Sequence, residues 1–171
     1  MLFVSFQCDE FDKNFLEFKP ELSVLPSIDY DHPDTYPKQS DYSDAFVQFI
    51  GQSRYSVLWS SDADRINLSD SPSIEILDES KVALSQVKLA GAHTRRNAWL
   101  ALSAVKRIFP EISESKIIQA LSDFPGTARR FEKIANNLYT DYAHHPVEIA
   151  ATIEMAQEIN PNVVVIYQPH Q

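Results

Sequence analysis

Glycine, cysteine and long apolar runs are all scarce in this chain of 171 residues, and each scarcity excludes a class of protein. Its three glycines, Gly51, Gly91 and Gly126, cannot form a Gly-x-x-x-x-Gly-Lys phosphate loop or a Gly-x-Gly-x-x-Gly turn. The single cysteine, Cys8, excludes an internal disulfide and is compatible with a reducing compartment. No apolar stretch approaches the roughly 20 residues of a membrane-spanning helix, and the apolar start, residues 2–6, lacks the cationic lead of a signal peptide.

Positive charge is also in the minority, since 15 Lys and Arg residues stand against 24 Asp and Glu, for a net charge of −9. This balance argues against a nucleic-acid-binding or membrane-binding surface and leaves room only for a local basic site. A hydrophobic content of 44% and a charged content of 23% are typical of a soluble globular protein. The length allows one well-filled core, or one domain and part of another.

Apolar runs alternate with helical stripes along the chain, which predicts an α/β fold with a mostly parallel sheet. The predicted strands are residues 2–6, 22–28, 55–59, 74–77, 82–89 and 162–167. The predicted helices are residues 41–50, 93–109, 114–121 and 146–160, with a short helical turn at 62–67. Two further short strands, 131–134 and 138–142, flank Asn136 and Asn137, which predict a tight turn.

Two short strings in the last third of the chain concentrate groups that bind anions or move protons. Residues 126–132 read Gly-Thr-Ala-Arg-Arg-Phe-Glu, and residues 140–146 read Thr-Asp-Tyr-Ala-His-His-Pro. An arginine fork suits phosphate oxygens. The second string ends a short apolar run, which is where α/β folds place side chains that contact ligands. Together the strings predict a binding site for an anionic ligand.

These strings resemble the Mur ligase family, the ATP-dependent enzymes that add amino acids to the peptidoglycan precursor. Four further segments agree with that resemblance in the same order, namely residues 9–15, 31–36, 91–97 and 167–170. The double histidine and the Gln-Pro-His ending are most similar to the alanine-adding branch of the family. The resemblance implies that residues 1–128 are part of a central ATP-binding domain. It also implies that residues 129–171 begin a Rossmann-like C-terminal domain.

The implied activity is that of an ATP-dependent ligase that joins L-alanine to UDP-N-acetylmuramate in the cytoplasm, with ATP and Mg²⁺ as cofactors. The substrate carboxylate attacks the γ-phosphate of ATP to form an acyl phosphate, and the amine of alanine then displaces phosphate. The family's phosphate loop is expected upstream of this segment, so we expect the 171 residues alone to be inactive. No nucleic-acid or membrane partner is expected, and the sequence leaves the oligomeric state open.

The same resemblance assigns roles to single residues, with Arg130, His32 and His144 as the catalytic candidates. For the nucleotide, it implies Arg129 and Arg130 at the phosphates, His93 and Asn97 at the adenine and Asp141 at the ribose. For alanine and the acyl phosphate, it implies Tyr142, His144, His145 and His170. For Mg²⁺, it implies His32 and Gln7. Each of these side chains also has an ordinary structural interpretation, such as an ion pair, a helix cap or a solvated turn.

Several positions depart from the family pattern and keep other interpretations open. Gln7 stands where the family has a metal-binding glutamate, so that Glu10, Asp9 or Asp12 could substitute for it. Gln171 stands where an arginine is usual, and Pro26-Ser27 replaces Thr-Asn. One alternative is the related ligase that recycles murein tripeptide. The others are a degenerate, non-catalytic nucleotide-binding module and an unrelated metal hydrolase that uses His32, His144 and His145.

Overall fold

The structure, a computed structural model, describes residues 4–168. Internal contacts divide the chain into two compact units, Met1–Val82 and Ala83–Gln171. This division into compact units does not test the domain boundary that the family resemblance implies between residues 128 and 129. That boundary stays a prediction.

A three-stranded parallel sheet forms the centre of the first unit. Strands β1 (Ser23–Val24), β2 (Ser56–Trp59) and β3 (Ile74–Leu77) lie in the order β1-β2-β3. All four residues of β2 are buried, as expected for the middle strand of a sheet covered on both faces. The sheet confirms the predicted α/β class with parallel pairing.

Helix α1 (Gln39–Gln52) buries one face in the first unit's core because its apolar residues recur at helical spacing. The buried stripe consists of Tyr42, Ala45, Phe46, Phe49 and Ile50. Phe15, from a kinked 3-10-helical segment over Phe11–Glu17, packs between Phe46 and Phe49 with ring centroids 5.2 and 5.0 Å away. A short helix, α2 (Ser60–Arg65), follows β2 directly.

Over residues 83–168, the second unit contains three α-helices and one hairpin. The helices are α3 (Ala92–Ile108), α4 (Glu114–Ser122) and α5 (Pro146–Ile159). Strands β4 (Glu132–Ala135) and β5 (Leu138–Thr140) pair antiparallel, with an irregularity between Lys133 and Ala135. Asn137 lies in the turn with φ +57°, a left-handed conformation that asparagine tolerates, which confirms the predicted tight turn.

Three predicted strands are wrong over the residues that the structure describes. Residues 82–89 contain a 3-10 turn, Leu84–Gln86, and no strand. Residues 4–6 and 162–167 are likewise not in strands, and many of their apolar side chains are exposed. An apolar run becomes a strand only where a neighbouring strand accepts its backbone hydrogen bonds. Neither residues 4–6 nor residues 162–167 pair with a strand within residues 4–168. Residues 2 and 3 lie outside the described range.

Candidate functional site

Asp9, Glu10 and His32 bring one possible ligand atom each to within 4.8 Å of one another. The Nε2 atom of His32 lies 3.9 Å from Oε1 of Glu10 and 3.9 Å from Oδ2 of Asp31. We call Asp9, Glu10 and His32 the acidic centre. Within residues 4–168 it is the one such group of at least three histidine, cysteine or carboxylate side chains, and it contains neither His144 nor His145.

Buried tyrosines fix Glu10 from both ends. Tyr36 donates a hydrogen bond of 2.7 Å to the carbonyl oxygen of Glu10, and Tyr42 of α1 donates one of 3.2 Å to its Oε1. Burial, and then the charge of Glu10, raises the pKa of Tyr36 to about 12 and raises the pKa of Tyr42 further. Both phenols therefore remain neutral donors near pH 7.

The loop after β1 presents His32 in an uncommon backbone conformation. Its φ of +54° is left-handed, and its carbonyl oxygen accepts hydrogen bonds from the N–H groups of Thr35 and Tyr36. Its own N–H donates to Oδ1 of Asp31 at 2.7 Å, and its ring lies edge-on to Phe11 at 5.3 Å. These contacts hold the imidazole beside Glu10. Gln7, the other predicted metal ligand, is exposed.

The start of α3 carries the two residues predicted at the adenine. His93 is half-buried and Asn97 is exposed one turn later, so the two share a helical face. Burial lowers the pKa of His93, and the carboxylates of Asp141 and Glu158 oppose that shift. The side chain is accordingly a neutral imidazole near pH 7, suited to hydrogen bonding and stacking.

Helix α5 contacts the same turn of α3. The carboxylate of Glu158 accepts the N–H of Gly91 at 3.0 Å and pairs with both terminal nitrogens of Arg95, at 2.9 and 2.8 Å. Gly91 has φ +81°, and a methyl group placed there would come within 2.9 Å of Met155. Sequence reasoning missed this contact, since the glutamate and the arginine lie 63 residues apart. No local spacing pattern links them.

The two arginines stand just before the β4–β5 hairpin, and both are exposed. The guanidinium of Arg129 lies over the ring of Tyr142 at 4.6 Å, a cation–π contact between the two sequence strings. The backbone of Arg129 is left-handed, with φ +60°, and its N–H donates to Glu132 at 2.8 Å. Arg130 closes a small turn through a hydrogen bond from its N–H to the carbonyl of Thr127.

Asp141 ties the two strings together through its carboxylate. Its Oδ2 accepts the N–H of Phe131 at 2.6 Å, and its Oδ1 accepts the N–H of Ala143 at 2.7 Å. The carboxylate of Asp141 therefore has a structural role in addition to the ribose-binding role predicted for it. Each oxygen has a second lone pair for a further donor.

The paired histidines point to different partners. His145 begins α5, and its Nδ1 accepts the N–H of Val147 at 3.4 Å while Glu148 completes a capping box. The Nδ1 of His144 lies 3.2 Å from the carbonyl oxygen of Tyr142 and 3.7 Å from Glu148. His144 is the more exposed of the two. The remaining predicted ligand, His170, lies outside the described residues.

The parallel sheet and flanking helices define an α/β protein, and comparison with solved structures identifies the fold more closely. The chain superimposes on the UDP-N-acetylmuramate-alanine ligase of Thermotoga maritima with a TM-score of 0.68 and 19% identity. The match covers 88% of this chain and 41% of that one. The fold is therefore the one found in part of that ligase.

Curated relatives agree with this match. Proteins named UDP-N-acetylmuramate--L-alanine ligase from Streptococcus equi subsp. zooepidemicus and Streptococcus pyogenes are 28% identical over 96% of this chain. The chain spans 44% of their length. No family model matches the sequence. The resemblance to the Mur ligase family, and to its alanine-adding branch, is confirmed by these relatives.

Between residues 4 and 168, no helix is both long enough and apolar enough to cross a membrane.

Proposed function

We propose that this chain forms part of a cytoplasmic ATP-dependent ligase that joins L-alanine to UDP-N-acetylmuramate in peptidoglycan synthesis. The similarity to relatives of that name along 96% of the chain supports the proposal. Since the chain spans 44% of their length, the activity is proposed for the ligase to which this segment contributes.

One geometric observation carries the proposal: Arg129, Asp141 and Tyr142, from two separate strings, meet beside the hairpin. The guanidinium of Arg129 over the ring of Tyr142, with the exposed Arg130 next to it in sequence, suits the phosphate oxygens of a nucleotide. In our assignment Arg130 and Arg129 contact the phosphates, and His93, Asn97 and Asp141 contact the adenosine. Tyr142, His144, His145 and His170 are left for alanine and the acyl phosphate.

In the proposed reaction the carboxylate of UDP-N-acetylmuramate bonds to the γ-phosphorus of ATP and ADP leaves. The amine of alanine then bonds to the acyl carbon, and phosphate leaves with the electron pair of the broken C–O bond. The chain's guanidiniums would bind the anionic groups that move, and the low pKa of His93 keeps that residue uncharged beside the base.

The acidic centre fits Mg²⁺ because two carboxylates and an imidazole are donors that a hard divalent cation accepts. Asp9, Glu10 and His32 would hold the ion. When bound, Mg²⁺ neutralises phosphate charge and orients the oxygens. The tyrosine hydrogen bonds to Glu10 would fix the carboxylate before the ion arrives.

A second candidate, a nucleotide-binding module without turnover, is favoured by one observation. Gln7 is an exposed amide at a position where the family pattern has a metal-binding carboxylate. Such a module would bind ATP and release no ADP.

A chimera tests the proposed function directly. We would replace the matching segment of the Streptococcus pyogenes ligase with this chain and measure UDP-N-acetylmuramoyl-alanine and ADP together. Product formation that depends on ATP and alanine supports the ligase. Nucleotide binding without either product supports the module instead.

Arg130→Lys in that chimera should lower turnover by about 100-fold or more, because lysine keeps the charge and loses the planar fork. Arg54→Lys, the same change at an exposed arginine paired with Glu21, is the control and should leave turnover unchanged. Near-normal turnover of the Arg130→Lys chimera contradicts the assigned role.

A further inference from the structure

The carboxylate of Glu10 faces the imidazole of His32, and the side chain of Gln7 is exposed. Oε1 of Glu10 lies 3.9 Å from Nε2 of His32, and a carboxylate oxygen of Asp9 falls within the same 4.8 Å group. In octahedral coordination with bonds of about 2.1 Å, neighbouring ligand atoms are about 3.0 Å apart and opposite ones about 4.2 Å. The acidic centre therefore needs only small adjustments to surround one small divalent cation.

We propose that Glu10 is the principal charged metal ligand of this chain, with His32 and Asp9 beside it, and that Gln7 is not required. The inference deepens the proposed function and rests on it for the identity of the ion as Mg²⁺. The binding of a divalent cation at these three residues rests on their geometry alone.

The surroundings of Glu10 are those of a positioned ligand. The hydroxyl of Tyr42 holds one carboxylate oxygen, and the hydroxyl of Tyr36 holds the backbone carbonyl. Both tyrosines belong to the first unit's core, with relative exposures of 3% and 0%. The carboxylate thus keeps its direction without a metal, and little rotamer freedom remains to be lost on binding.

The other two members of the acidic centre are held in a similar way. Oδ1 of Asp9 accepts the N–H of Phe11 at 2.8 Å, which leaves Oδ2 for an ion. The ring of Phe11 lies against the ring of His32. Phe11 therefore contacts both Asp9 and His32, while Tyr36 and Tyr42 hold Glu10.

Gln7 is a poor alternative on chemical grounds. Its side chain is exposed, and its amide oxygen brings no negative charge to offset the dehydration of the ion. A carboxylate three residues later, already aimed at the imidazole, supplies that charge.

Titration with Mn²⁺ tests the inference, since the electron paramagnetic resonance signal of free Mn²⁺ falls as the ion binds. The 171-residue chain, Glu10→Gln, Gln7→Ala and Glu17→Gln would be compared. Glu17→Gln makes the same change as Glu10→Gln at an exposed glutamate outside the acidic centre, and is the matched control. We expect Glu10→Gln to weaken binding by about ten-fold or more, and the other two variants to stay within about two-fold.

Three results with the variants overturn the inference. They are unchanged affinity in Glu10→Gln, a ten-fold loss in Gln7→Ala, and equal losses in Glu10→Gln and Glu17→Gln. Gln7→Ala changes an exposed side chain, so its result stands even if Glu10→Gln fails to fold. A wild-type chain that binds no Mn²⁺ also overturns it.

The alanine-transfer assay of the chimera separates this inference from the proposed function. A chimera that makes product while Glu10→Gln retains Mn²⁺ affinity keeps the ligase and rejects Glu10 as a ligand. A chimera without product, combined with Mn²⁺ loss in Glu10→Gln, keeps the metal site and rejects the ligase.

Discussion

Single residues decide the geometry at the start of α3, where Gly91 takes a backbone conformation that other residues rarely adopt. Its φ is +81°, and Cγ and Sδ of Met155 occupy the space that a methyl group would need. We expect Gly91→Ala to lower the free energy of unfolding by about 1–3 kcal/mol, from backbone strain and the displaced methionine. Urea unfolding followed by circular dichroism measures the change.

Gly51→Ala is the matched control for that substitution. Gly51 lies inside α1, and apart from the neighbouring backbone of the helix no atom lies within 4 Å of the position that its methyl group would take. Alanine there should leave stability unchanged or raise it by up to about 1 kcal/mol. Similar losses in both variants contradict the role assigned to the left-handed backbone.

The sequence predicted some of the residues that form the core and the candidate site, and it gave no signal for others. The stripe from Tyr42 to Ile50 follows from helical spacing, because burial of one helix face needs only local pattern. Asp141 could be singled out from its string, but not its bonds to Phe131 and Ala143. Glu158 gave no signal at all, since its partner Arg95 is distant in sequence.

At the scale of elements, the ion pair between Arg95 and Glu158 joins α5 to the first turn of α3. The hydrogen bonds to Arg95 and Gly91 hold the pKa of Glu158 at about 2, below its ordinary value of 4.5. A lowered carboxylate pKa stabilises the folded state above about pH 4.5, and that stabilisation is lost as the pH falls towards 2.

We therefore expect Glu158→Gln to destabilise the second unit near pH 7 by about 1 kcal/mol, a figure discounted because the carboxylate is 39% exposed. The difference from wild type should shrink between pH 4.5 and 2. Thermal unfolding across that range measures both effects. Glu154→Gln, the same change one turn earlier on α5, should show neither, and a similar pH profile in that variant contradicts the prediction.

Helices and strands were predicted correctly where the residues of the element itself carry the full periodic pattern. Strand β3 and helix α1 lie close to their predicted positions because each carries its own periodicity. The strand predicted over residues 82–89 is wrong, because an apolar run of that length, without a partner strand, does not by itself indicate which structure it forms. The structure uses Val87 of that run as a buried contact within a turn.

At the scale of the whole molecule, the apolar residues 164–166 are exposed and pair with no strand within the described residues. Val164 and Ile166 are 90% and 95% exposed. An exposed β-branched run promotes association between chains. We expect the double variant Val164→Lys/Ile166→Lys to reduce concentration-dependent self-association, as measured by sedimentation velocity, without lowering the free energy of unfolding.

The control for this prediction is Val47→Lys/Phe124→Lys, which adds the same charge at two scattered apolar residues that are also exposed. A reduction in self-association equal to that of the 164/166 variant would assign the effect to net charge. It would contradict the role given to the segment.

Through its hydrogen bond to Glu10, Tyr42 contributes both to the packing of the core and to the position of a candidate metal ligand. The ring of Tyr42 belongs to the core, and its hydroxyl aims a candidate ligand. Phenylalanine at position 42 would preserve the packing and release the carboxylate, so substitutions at 42 and 10 should show epistasis in cation affinity. A lineage that had abandoned the cation could discard the hydroxyl at little cost, whereas the ring would stay under selection for folding.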